Sequence, residues 1–72
     1  MSSRETLPAL TKETIHNYAR QVFGNPRKAY SWMDTPNKTF RGMRPKDFIE
    51  YANTEDLQLV YDELSRIDHG LF

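Results

Sequence analysis

The 72-residue chain contains no cysteine. That excludes a disulfide scaffold, a thiolate nucleophile and any zinc site built on cysteine. Histidine is nearly as scarce. His16 and His69 stand far apart, neither with a companion at metal-ligand spacing, so no zinc or iron site is expected. The three glycines, Gly24, Gly42 and Gly70, are scattered and form no phosphate-cradling loop. Ser65 and the other hydroxyls lack a nucleophile-elbow setting or an obvious base. No apolar run approaches the roughly 20 residues that span a bilayer, and the segment from Met1 to Thr6 has no apolar core of a signal peptide. These absences point to a soluble, cytoplasmic, non-enzymatic protein with no cofactor.

Net charge is zero, but it is unevenly spread. Between Arg27 and Lys46 stand six basic residues against the single acid Asp34; between Asp47 and Asp68 stand seven acids against Arg66. Such asymmetry bears on association more than on fold. Solvated faces on neighbouring elements account for it, and so does a docking patch for nucleic acid or a protein. Trp32, with Arg27, Lys28 and Lys38 nearby, has the surroundings of a base-stacking platform. It also shares a helical face with Ala29 and Met33, which favours the core.

Periodicity predicts an all-α fold, a compact bundle of four short helices, behind a flexible N-terminal segment over residues 1–10. The domain proper runs over 11–72. Thr11 caps the first helix, with Glu13 in its first turn and a hydrophobic staple between Leu10 and Ile15. Ile15, Tyr18, Ala19, Val22 and Phe23 form its apolar stripe, and Gly24 closes it with a left-handed cap. Asn25 and Pro26 open the second helix, which Thr35-Pro36-Asn37 stops. A loop anchored by Phe40 leads to a third helix from Pro45, whose cap position holds the poor capping residue Arg44. Asn53 or Thr54 caps the fourth, with Leu57, Val60, Tyr61, Leu64 and Ile67 on its inner face. Leu59 points almost opposite, which makes it a candidate contact residue.

The chain closes on Arg66-Ile67-Asp68-His69-Gly70-Leu71-Phe72. A glycine stop followed by two bare apolar side chains needs a cover, either the protein's own core or a partner.

The order of these motifs resembles one family. Val22-Phe23-Gly24-Asn25 with Ala29, then Trp32-Met33-Asp34-Thr35-Pro36-Asn37, then Gly42-Met43-Arg44-Pro45, then Val60 to Leu64 and Arg66 to Phe72, is similar to the toxin-binding domain of Xre/MbcA/ParS-type antitoxins. The likeness covers Ile15 to Phe72. It implies a non-enzymatic antitoxin or immunity protein that neutralises a RES-domain toxin, an enzyme that consumes NAD or ADP-ribosylates a target, by occupying its active-site cleft. Gly24, Trp32, Thr35, Pro36, Asn37, Gly42 and Pro45 match the part of the signature that holds the fold. Arg66, Asp68, His69, Gly70, Leu71 and Phe72 match the C-terminal segment that faces the toxin, and Leu59 joins them as a partner-binding candidate.

Three departures from the family pattern stand out. Phe40-Arg41-Gly42 replaces Leu-Gly-Gly, Arg44 replaces a capping Thr or Ser, and Asp56 replaces an early glycine of the last helix. The resemblance also implies a helical DNA-binding region before the domain, for which the residues preceding Thr11 carry no pattern; DNA binding is not expected without it. Two competing readings remain: a nucleic-acid-associated accessory protein using the Arg27–Lys46 stretch, and a homo-oligomer in which the acidic helix of one copy meets the basic loop of another.

Overall fold

Helix signals in the sequence translate directly into the architecture. The computed structural model describes residues 10–70, and over that range α1 (Lys12–Phe23), α2 (Pro26–Met33), α3 (Pro45–Glu50) and α4 (Thr54–Asp68) follow one another. A 3-10 turn, Lys38–Phe40, lies between α2 and α3. Among the described residues there is no strand, only an isolated antiparallel bridge between Asn37 and Met43. The fold is all-α, as the periodicity predicts.

Local chemistry explains each helix end. Thr11 Oγ1 accepts from the Thr14 N–H at 3.1 Å while Thr14 Oγ1 accepts from the Thr11 N–H at 2.8 Å. This reciprocal box satisfies two amides that the helix leaves free, with threonine in the place glutamate often takes. Gly24 stops α1 at φ 67°, and its N–H donates to the Arg20 carbonyl at 2.9 Å. Asn25 then accepts from the Arg27 and Lys28 amides at 2.7 and 3.3 Å, and Pro26 takes the first helical position. The chain therefore reverses between α1 and α2 in two residues.

The segment between α2 and α3 is more ordered than an open loop. The Asn37 side chain accepts from the Thr39 amide at 2.9 Å, its backbone N–H donates to Met43 at 3.0 Å, and its carbonyl accepts from Phe40 and Gly42 at 3.0 and 2.9 Å. Arg41 at φ 61° and Gly42 at φ 81° swing the chain back through the left-handed region. That tight reversal throws the Phe40 side chain inward, where it is fully buried.

The core comprises Ile15 and Ala19 of α1, Ala29 and Met33 of α2, Phe40, Ile49 of α3, and Leu57, Val60 and Leu64 of α4. α1 packs most extensively on α4 and next on α2, and α3 leans on α4 and α2. Leu10, within the expected N-terminal lead-in, packs against this core; residues 1–9 lie outside the described residues. Aromatic rings run along one side: Phe23 to Trp32 at 5.9 Å, Trp32 to Phe40 at 6.0 Å edge-on, and Phe40 to Phe48 at 4.8 Å stacked. Each such pair adds roughly 0.5–1.5 kcal/mol beyond simple burial. Trp32 is thus half-buried between two other rings rather than a free platform for a base.

Two positions differ from the expected inner face of α4. Tyr61 is 37% exposed, and Ile67 is half-buried. At about 100° per residue Tyr61 sits roughly 80° off the centre of the apolar stripe. It caps the seam between helices by stacking on Tyr18 of α1, with ring centroids 4.7 Å apart.

Candidate functional site

The partner-binding candidates depend on how α4 begins and which way it faces. Asn53 Oδ1 accepts from the Asp56 amide at 2.8 Å, and Asp56 Oδ2 accepts from the Asn53 amide at 3.4 Å. Asp56, standing where the resemblance implies a glycine, is thus half of a capping box, and its charge with that of Glu55 suits the helix N-terminus. Leu57, Val60 and Leu64 point inward and fix the rotation of the helix. Leu59 is consequently driven out, and it is 40% exposed.

Arg66 lies seven residues, about two turns, beyond Leu59 on the same outward stripe. Its Nη1 stands 3.4 Å from Glu63 Oε1, a carboxylate on that stripe between them. Asp68 falls elsewhere. Two residues past Arg66 it is rotated by about 200°, toward the side that carries Tyr61 and Ser65. The α4 candidates therefore divide: Leu59 and Arg66 share one exposed surface, and Asp68 belongs to another.

At the C-terminus of α4, His69 Nδ1 stands 2.8 Å from the Ser65 carbonyl oxygen and 3.4 Å from Ser65 Oγ. A carbonyl only accepts, so the Nδ1–H tautomer is the one that makes this hydrogen bond. Gly70 closes the turn at φ 71°, its N–H donating to Ile67 at 3.0 Å. Leu71 and Phe72 lie outside the described residues.

Apart from Gly24, which closes α1, the signature residues assigned to holding the fold lie in the segment from α2 to α3. Thr35 Oγ1 donates to the Ser31 carbonyl at 2.7 Å, closing α2 just before Pro36. Asn37 organises the turn that Gly42 completes, and Pro45 is buried at the start of α3. Arg44 makes no side-chain cap for α3. It instead reaches Asp47 at 2.7 Å and Asp34 at 3.3 Å, while Lys46 Nζ lies 2.8 Å from Asp34.

This cluster ties the end of α2 to the start of α3. The hydrogen bond and charge of Lys46, with Arg44 beyond it, hold the Asp34 carboxyl below its ordinary value of 3.8. Conversely, Asp47 raises Arg44 and Asp34 raises Lys46. Two of the six cations in the basic stretch are thereby spent inside the molecule. Among the described residues Arg27, Lys28, Lys38 and Arg41 have no such acidic partner. That reduces the charge available for a phosphate backbone.

One feature escaped sequence reasoning. An open, mostly apolar groove of about 230 Å³ lies where α1, α2 and the start of α3 meet. Its floor is Ala19, Ala29 and Met33, and its rim carries His16, Arg20, Tyr30 and Lys46. The spacing of His16 and Arg20, one turn apart on the flank of a stripe holding the small Ala19, is a faint trace of it. The arrival of Lys46, 26 residues beyond Arg20 in the chain, has no sequence signal. Burial, and secondarily the charge of Arg20, holds His16 below its ordinary value of 6.5.

Among the described residues no helix is long and apolar enough to cross a membrane, and no cluster of metal-ligating side chains occurs. The family model for the antitoxin Xre/MbcA/ParS C-terminal toxin-binding domain matches residues 19–70, well over half of the chain, and the protein belongs to that family. No curated protein and no solved structure matches it.

Proposed function

We propose that this antitoxin domain neutralises a RES-domain toxin, one that consumes NAD or ADP-ribosylates a target, by laying the outward stripe of α4 and the segment from His69 to Phe72 into the toxin's active-site cleft. It acts as an antitoxin or immunity protein in the cytoplasm, by occlusion and without chemistry of its own. The observation that carries the reading is Leu59. A leucine 40% exposed on the polar side of a well-capped helix supplies apolar area that a partner can cover, and Arg66, two turns away on the same stripe, is of a residue type enriched at binding hot spots. Glu63 beside Arg66 keeps that guanidinium oriented at the surface. The RES assignment rests on the resemblance of the motifs from Val22 to Phe72, and the toxin-binding role rests on the family match.

The test is co-expression and co-purification with a RES-domain toxin, followed by NAD consumption of the complex. Wild-type protein is expected to co-purify and suppress turnover. Leu59→Asp should weaken capture by at least about tenfold, equivalent to about 1.4 kcal/mol, and deletion of 70–72 should abolish protection with helicity retained. A toxin that stays fully active beside excess wild-type protein defeats the proposal.

A further inference from the structure

The groove between α1, α2 and α3 lies on the α2 side of α1, whereas α4 covers another side of α1. It combines an apolar floor of Ala19, Ala29 and Met33 with a rim that carries Arg20, which has no acidic partner among the described residues, and Lys46, which Asp34 already holds at 2.8 Å. Room exists there because two alanines line the floor where larger side chains would close the gap. Tyr30, 65% exposed, walls one side with Lys46 Nζ 5.8 Å from its ring centre. Such a site accepts one apolar side chain delivered on an acidic backbone.

The same chain displays that chemistry on its opposite side. The outward stripe of α4 carries Leu59 with Glu55, Asp62 and Glu63 around it, and only Arg66 opposes them in sign. Helix geometry places Glu55, Asp62 and Glu63 within about one turn of Leu59. A single molecule cannot bring this stripe to its own groove, because α1 and the core stand between. We propose that the groove of one copy receives Leu59 of a second copy, with Arg20 facing Asp62, in a weak head-to-tail association.

The contact is heterologous, joining two different surfaces. It rests on the reading of Leu59 as the toxin contact only for its consequence: self-association and toxin capture then compete for one stripe, so toxin dissociates the assembly. The association itself is tested without toxin, and its failure leaves the toxin reading untouched.

Sedimentation velocity from about 10 μM to about 1 mM protein, the range in which a weak contact populates, should show the average mass rising from the 8.5 kDa monomer. Raising salt should suppress the rise, because Arg20 and Asp62 are both solvent-exposed. Leu59→Asp and Arg20→Glu, both at exposed positions, should each remain monomeric with unchanged helical circular dichroism. Mixed together they should regain association, since the first keeps an intact groove and the second an intact stripe. A wild-type monomer at 1 mM overturns the proposal. So does persistent association of either variant alone, or a mixture that stays monomeric while the wild type associates.

Discussion

The segment from Asp34 to Asp47 and helix α4 solve opposite problems. α4 is regular: 15 residues, a capping box at one end, a glycine turn at the other, and a stripe of Leu57, Val60 and Leu64 that sets its rotation. The segment is irregular and polar, yet it is held by one buried phenylalanine, an asparagine that bonds four backbone positions, and an acid–base cluster closing its base. Periodic structure is secured by repetition of weak contacts along a helix. Aperiodic structure depends on a few positions, each of which carries more. Damage should therefore be concentrated in the segment and diluted in α4.

The comparison breaks most sharply at Phe40. Phe40→Ala empties a fully buried site touching two other rings, and is expected to cost about 3–5 kcal/mol. Thermal denaturation should show the midpoint falling by more than 10 °C, at roughly 4–8 °C per kcal/mol for a domain this small. A loss under about 1 kcal/mol would mean the segment is not anchored through this ring.

A smaller effect is expected at the start of α4. Asn53→Ala removes one half of the capping box and should cost about 1 kcal/mol in urea unfolding. Leu57, Val60 and Leu64 still hold the helix, so the fold survives, which is the dilution that distinguishes α4.

Arg41 sharpens the comparison in the stabilising direction. It occupies φ 61° without being glycine, a conformation that costs an L-residue roughly 1–2 kcal/mol. Arg41→Gly relieves that strain against an entropic cost of about 0.5–1 kcal/mol for glycine. A net gain of about 0.5 kcal/mol is expected, read as a small upward shift of the urea midpoint.

The least effect should come from the acid–base cluster, and it is pH-dependent. Asp34 has a folded pKa below 3.8, so the unfolded chain binds the proton more readily. Its contribution is fully present above that value and fades as pH falls through 3.8 toward the lowered folded value. Asp34→Asn should flatten the acid limb of the stability profile and slightly lower stability at neutral pH, where the wild-type pair is intact. His16 has the same sign by a different cause: its folded pKa is depressed below 6.5 by burial, so protonation below 6.5 opposes folding, and His16→Gln removes that slope.

The resemblance and the helix pattern were legible for a common reason. Thr11, Gly24, Asn25-Pro26 and Asn53 act within a few residues of themselves, and their spacing alone states what they cap. The outward direction of Leu59 followed from its offset of 100° per residue against the apolar stripe, and its 40% exposure agrees. The anchoring role of Phe40 was legible as the one aromatic residue in a polar stretch, but the turn that buries it was not, because it depends on Arg41 adopting a conformation arginine seldom takes. The basic stretch misled as a unit. Arg44 and Lys46 are basic in sequence yet electrostatically spent in space, since Asp34 lies ten or more residues away along the chain.

The sequence by itself determined the caps of α1, α2 and α4, the apolar stripes of those helices, and the family to which the order of its motifs belongs, because all of these are interactions among near neighbours or along one helical repeat. Only the tertiary structure decided that Tyr61 seals a seam with Tyr18, and that Arg20 and Lys46 meet across a groove floored by two alanines. Those depend on how α1, α2 and α3 approach one another. That approach is set by the summed shapes of side chains distant in sequence, which no local pattern encodes.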